Sequence, residues 1–498
     1  MQRSRLRESG LLAIPIVIAV VVEVVALRLG STGQLILGVL AALVAISVII
    51  SFDMGSVGVL AACLCALTLT WNGWHVGGIK PGDALIFGTL LCFLLAGTTG
   101  EAGPRLPWWI KTLAFGIFGV AMLHVMFPMS DTYIDQRIVF TGKGKPAPHL
   151  LDLPSSNLHV AFKFIVAIAL VPLIFALAAR RDKRAPYWLG LAFAIGAAAS
   201  GWAAGIDRVT HIGISRIITG VAGPGSRQIG FAGQPNYLAA GLVLAIPFAV
   251  WLLFSAKKLD RFIGGFALVG MVFGVYASGS RGGAVSAVLA LGVSILSVPR
   301  ARRYTIATTL AGIGFIAVIV AVLPGFGRSI LRSVRLIGGG ASTAGSDIQR
   351  SLAATQGHHD FFHSPFYGVG LQASFDASQV YLQELASGGL LLFICMQIYM
   401  AGWVLTGYKM SARFHLAGAI AASAIAALAL NFFEADLTDR FYYVPAAILV
   451  SLIYAAANGY TSEQQDGQPP APPVHVEHPH RHTPIPLGRA LPITRTPA

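Results

Sequence analysis

The sequence predicts an all-α protein: a polytopic bundle of transmembrane helices with one long helical loop outside the membrane. Three observations carry that reading. Of 498 residues, 55% are hydrophobic and 11% charged, with a mean hydropathy of +0.71. Apolar runs recur at the ~20-residue length that crosses a hydrocarbon core. Basic residues gather in the short loops between those runs, as anionic cytoplasmic lipid favours. A net charge of +14 therefore points to lipid and away from nucleic acid, and the hydropathy excludes a soluble enzyme. Cys63, Cys65, Cys92 and Cys395 all fall in apolar segments, which predicts buried thiols with neither a disulfide framework nor metal spacing.

Spans are expected at 11–28, 35–52, 54–72, 83–98, 109–128, 159–179, 186–204, 236–255, 261–278, 283–298, 304–324, 386–407, 413–431 and 441–457. That makes about fourteen, or twelve to thirteen without the weakest segments at 54–72, 83–98 and 283–298. The first run follows Arg3, Arg5 and Arg7 with no clear small-residue cleavage site, so it reads as an uncleaved helix. Placing the N-terminus inside also places Arg105/Lys111, Arg180/Arg181/Lys183/Arg184, Lys257/Lys258/Arg261, Arg300/Arg302/Arg303 and Lys409/Arg413 inside. Both termini are then cytoplasmic, and the 129–158, 205–235 and 325–385 loops lie outside. Residues 1–460 form the membrane domain. The Pro/His-rich stretch 461–498 is a disordered tail whose His475, His478, His480 and His482 are solvated. The 129–158 loop, with Asp131, Asp135, Arg137, Lys143, Lys145 and Asp152 among glycines and prolines, reads as an outer rim.

Three segments on the outer side carry chemistry. The stretch Gly-Pro-Gly-Ser-Arg-Gln-Ile-Gly-Phe-Ala-Gly-Gln-Pro-Asn-Tyr at 223–237 precedes a helix expected to start near Asn236. Free N–H groups there, with the Arg227 fork, suit phosphate oxygens. The competing reading is an Asn-capped helix entry with Arg227 at lipid headgroups. Ser-Gly-Ser-Arg-Gly-Gly at 278–283 sets Arg281 between apolar spans, facing either a cavity or the headgroups. In the 325–385 loop, Arg328, Arg332 and Arg335 form a basic helical stripe suited to lipid headgroups. Ser346-x-x-Gln349 then reads as a capping box that would put Arg350 early in a helix, ahead of the His-Ser-Pro-Phe-Tyr-Gly-Val-Gly turn at 363–370. Three arginine-bearing segments at one water–lipid boundary suit a ligand with a lipid tail and a pyrophosphate head.

These motifs resemble the O-antigen ligase/polymerase (Wzy-C) superfamily of bacterial glycan-transferring membrane proteins. The likeness runs through Arg-x-x-Gly-x-x-x-Gln-Pro-Asn at 227–236, Ser-Arg-Gly-Gly at 280–283, Arg350, His363-Ser-Pro-x-x-Gly-Val-Gly, and Tyr-Leu-Gln at 381–383 with Gly389. It implies a GT-C-like glycosyltransferase in the bacterial cytoplasmic membrane. The implied donor is a polyprenyl-pyrophosphate-linked glycan and the acceptor a glycan or lipid-glycan, with no cofactor and no metal. It further implies that Arg227 and Arg350 hold the pyrophosphate, with Arg281, Gln234, Asn236 and Tyr381 as further candidate substrate contacts. Where the family has a His-Asn pair before Tyr-Leu, this chain has Ser378-Gln379, and serine is a poor base at neutral pH. His359, His363 and Glu384 are the candidates to replace it.

The resulting expectation is an inverting transfer in which arginines stabilise the leaving pyrophosphate. A polymerase of the same superfamily differs only in its acceptor. A lipid-glycan flippase, the alternative from another class, would show internal repeats and ionisable groups deep in the spans. No repeat is evident, and only Glu23, His124 and Lys163 are candidates for such groups.

Overall fold

A segment in lipid must satisfy its own backbone, and an uninterrupted helix does so. The computed structural model describes residues 53–75, 80–96, 104–130, 133, 154–224, 226–297, 341–375, 377, 379–434 and 437–461. Among these, seven helices are long and apolar enough to cross a membrane, and four shorter ones are also apolar. They match the expected spans one for one. The remaining three, at 11–28, 35–52 and 304–324, lie outside the described residues, as do the Arg328–Arg335 stripe, Ser378, most of the 129–158 loop and the tail beyond 461.

In chain order the helices are α1 (Met54–Thr68), α2 (Pro81–Leu95), α3 (Trp108–Met126) and α4 (Pro154–Ile165). A π turn at Val166–Leu170 leads into α5 (Val171–Arg181). Then come α6 (Ala185–Thr210), the short α7 (Ile214–Thr219), α8 (Pro235–Leu253), α9 (Lys258–Ser278) and α10 (Arg281–Ser297). The long-loop helix is α11 (Ala341–His363), followed by α12 (Val380–Ser411), α13 (His415–Leu430) and α14 (Val444–Ala457). The three segments that looked weakest as spans are all helical and short. The expected capping box fails: 346–349 lies inside α11, so Arg350 sits mid-helix.

Successive spans alternate in direction, so their ends form two opposed layers. One layer joins Arg181 to Asp53 in an ion pair and seats Lys257 over the Tyr187 ring, whose hydroxyl donates to Asp260 at 2.7 Å. This layer also contains the basic loops between α5 and α6, between α8 and α9, and between α12 and α13. The opposite layer gathers the segments around Arg227, Ser280, Arg350 and Asn431–Asp439. Between them, Ser423 in α13 donates to the Leu244 carbonyl of α8 at 2.8 Å.

The span at the end of the long loop begins at Val380 and is broken at Gly389 (φ 60, ψ −158). The break strands backbone groups that the 363–370 turn takes up. Val369 and Gly370 donate to the carbonyls of Ala386 and Ser387, at 2.9 and 3.2 Å. Leu390 and Leu391 donate to those of Pro365 and Phe366, at 2.8 and 3.1 Å. A Cβ at Gly389 would stand 2.5 Å from the Phe366 carbonyl carbon. Gly389→Ala should therefore lose roughly 1–3 kcal/mol from the strained backbone alone, with the clash in addition. Thermal unfolding in detergent should show a clear drop in Tm. Gly88→Ala, where a Cβ meets nothing within 4 Å, should hold or raise it.

Candidate active site

Arg227 lies in the loop before α8, half-buried, and is held from two directions. Its Nε donates to the Ser278 carbonyl at 2.8 Å, and its Nη2 donates to the Asn236 side-chain oxygen. Asn236 thus serves the arginine. The α8 N-cap is Gln234, an exposed residue whose side chain makes no capping bond. The Asn-capped reading of this segment is therefore set aside. A further tie, Gln228 N–H to the Ala277 carbonyl at 3.0 Å, fastens the loop to the end of α9.

The α9–α10 junction explains why the sequence reads Ser-Arg-Gly-Gly. Ser280 caps α10 by accepting from Gly283 N–H at 3.1 Å. Its own proton is then free to point elsewhere, and it goes to Glu434 Oε1 at 2.7 Å. At Gly282 a Cβ would sit 2.4 Å from the Phe433 Cβ and 3.3 Å from Glu434 Oε1, so only glycine admits this approach. Arg281 opens α10 half-buried.

Glu434 is the residue that sequence reasoning missed, and the separate segments meet at it. It belongs to the turn after α13, with its N–H on the Leu430 carbonyl at 2.9 Å and its carbonyl accepting from Val380 N–H at 3.1 Å. Its side chain is 3% exposed, and Arg350 Nη2, on a side chain 38% exposed, stands 3.9 Å from Oε2. Burial pushes the Glu434 carboxyl above its ordinary range, while the Ser280 hydroxyl and the charges of Arg350 and Arg227 pull it back. An isolated carboxylate here would be costly; one hydrogen bond and two guanidinium groups make it tolerable. Arg227 and Arg350, 123 residues apart in the sequence, thus act on one carboxylate at one end of the bundle.

The other predicted residues fall elsewhere. Tyr381 is half-buried beside this site, its hydroxyl donating to the Leu428 carbonyl at 3.3 Å and its ring edge-on to Phe432. Glu384 is sealed in the core and accepts from Gln397 at 3.1 Å. His359 and His363 lie further along α11, roughly 14 and 20 Å from Arg350 at a rise of ~1.5 Å per residue. There they stack on Tyr133, at ring-centroid distances of 5.6 and 3.6 Å. The Tyr133 hydroxyl donates to the buried Asp360 at 2.7 Å. His124 is also engaged, with Nε2 on the Tyr367 carbonyl at 3.1 Å. A cavity of about 740 Å³ beside α1 and α6, with Asp53 and Arg181 among its lining, opens toward the opposite layer and takes no part in this site.

The turn that carries Glu434 is anchored at its far end by Asp439 and Arg440. Asp439 accepts from Asn72 at 2.9 Å, its second oxygen is sealed without a hydrogen-bond partner, and Arg440 pairs with Asp83.

Residues 266–390 match the O-antigen ligase family model, and no curated protein matches the chain. The matched segment carries Arg281, Arg350 and Gly389, while Arg227 and Glu434 lie outside it. The match covers about a quarter of the chain, so the helices describe a multi-pass membrane protein with a segment similar to the O-antigen ligase family.

Burial pushes the Asp439 carboxyl up to about 7, against the pull of Lys80. A carboxyl raised in the folded state stabilises most when protonated. Its contribution is full below the unfolded value of about 3.9 and is lost as pH rises through about 7. Thermal unfolding of wild type and Asp439→Asn at pH 5.5 and 8.5 checks this. The variant should gain on wild type at the higher pH, whereas parallel behaviour would contradict the assignment.

Proposed function

We propose that this chain is an integral-membrane glycosyltransferase of the O-antigen ligase type. It moves a glycan from a polyprenyl pyrophosphate to an acceptor hydroxyl at the outer face of the cytoplasmic membrane. The observation that carries the proposal is the meeting of Arg227, Ser280 and Arg350 around the buried Glu434. The positive-inside rule supports the orientation, because the basic loops lie in the layer opposite this site.

In this reading the diphosphate of the donor sits against Arg227 and Arg350, with its lipid tail among the helices. Charge develops on the diphosphate as the anomeric C–O bond breaks. Guanidinium groups already fixed in a low-dielectric site stabilise that charge without reorganising. Arg227 is fixed by Ser278 and Asn236, while the more exposed Arg350 presents donors toward the open side. The acceptor oxygen attacks from the face opposite the diphosphate, which inverts the anomeric carbon.

Arg350→Ala should lower glycan transfer by roughly 10²–10³, the scale of losing one preorganised donor to a developing oxyanion. Arg227→Ala should do the same, and Arg350→Lys should recover only part of the loss because it lacks the fork. Transfer from a lipid-pyrophosphate glycan in proteoliposomes is the measurement. Wild-type rates in both alanine variants would end the proposal.

A further inference from the structure

We infer that Glu434 is the general base that takes the proton of the acceptor hydroxyl, a catalytic role that rests on the glycan-transfer reading above. Geometry carries the assignment. Oε1 is occupied by the Ser280 hydroxyl at 2.7 Å, and that hydroxyl is oriented because it also accepts from Gly283 N–H. Oε2 stands 3.9 Å from Arg350, beyond hydrogen-bond length, and so keeps lone pairs for a third group. The backbone is pinned on both sides, by Leu430 and by the first turn of α12 at Val380. That second tie holds Glu434 against the start of α12.

The chemistry fits the surroundings. Three groups bear on this carboxyl: Ser280 from the α9–α10 junction, Arg350 from α11 and Arg227 from the loop before α8. All three favour its ionised form. When a diphosphate engages the two arginines, their hold on Glu434 weakens and the carboxylate becomes a stronger base, so donor binding readies the proton acceptor. In the step itself the acceptor oxygen bonds to the anomeric carbon and its proton passes to Glu434 Oε2. The C–O bond to the diphosphate breaks, its electron pair leaving on the diphosphate oxygen. Water removes the proton from Glu434 before the next turnover.

Other titratable groups are less well placed. Glu384 is enclosed with Gln397, and His359 and His363 are committed to Tyr133 at the far end of α11.

The test uses the full chain in proteoliposomes with a lipid-pyrophosphate glycan and its acceptor. Wild-type turnover should fall on the acid side as Glu434 protonates. Glu434→Gln should lower turnover by roughly 10²–10⁴, lose that acid limb, bind donor as wild type does, and regain part of its rate with added formate. Glu434→Gln within a few-fold of wild type, or with its acid limb intact, overturns the inference while leaving glycan transfer standing. Should Glu434→Gln fail to fold, Ser280→Ala decides. Removing a donor to the charged carboxylate raises its pKa, so the acid limb should move to higher pH, and an unmoved limb overturns the inference. Absence of any transfer by the wild-type chain would instead overturn the functional reading beneath it.

Discussion

The structure depends on a helix broken inside the membrane region and mended by another segment. At Gly389 the backbone turns to a positive φ, and four backbone groups lose their helical partners. In lipid each unpaired group costs several kcal/mol. The 363–370 turn supplies partners for the carbonyls of Ala386 and Ser387 and for the N–H groups of Leu390 and Leu391. The turn and the broken helix are therefore one unit. Because the turn follows α11 directly, that pairing also docks the helix bearing Arg350. Gly357 helps, since it lets α11 close on Leu382 of α12. A helix in a long loop thereby becomes a rigid arm that holds a guanidinium group over the bundle.

The second constraint is electrostatic. Two arginines held near one another at the edge of a low-dielectric region repel, and a buried carboxylate alone would resist ionisation. Together they relieve each other, and the Ser280 hydroxyl fixes the carboxylate's orientation. Covalent distance is no obstacle, because the bundle brings the ends of α8, α9, α10, α12 and α13 to one layer. The glycines in the 278–283 motif follow from this crowding: Gly282 faces Phe433 and Glu434 at a separation no side chain would allow.

Much of this was legible in the residue order. Uninterrupted apolar runs mark helices because lipid leaves the backbone no alternative, and the spans within the described residues appear where the runs predict them. Arg227 stood out as a guanidinium fork beside a glycine-rich helix start, and Arg350 through the family motif it falls on. Glu434 did not, since Asn-Phe-Phe-Glu-Ala-Asp between two spans looks like an ordinary hydrated turn, and its burial depends on contacts from distant segments. The break at Gly389 was hidden for a similar reason: Ser-Gly-Gly inside an apolar run is compatible with a continuous span. Ser346-x-x-Gln349 misled because the capping signature needs a non-helical serine backbone, and this serine lies within α11. The stacking of His359 and His363 on Tyr133 joins residues more than two hundred positions apart, beyond any local pattern.

The geometry of α11 also separates two chemistries that its sequence runs together. A helix is a stiff rod, so Arg350 and His363 cannot converge on one ligand atom without breaking it. The histidine end is already organised around Tyr133 and the buried Asp360, which also accepts from Gln356 at 2.8 Å. The arginine end is organised around Glu434, with one face of Arg350 left open. A diphosphate held there would lie near a carboxylate and far from an imidazole. An anionic neighbour beside an anionic ligand is tolerable only because guanidinium groups stand between them, and that arrangement favours arginine over lysine. A planar fork can face a carboxylate on one side and a phosphate on the other, whereas an ammonium is a single point of charge.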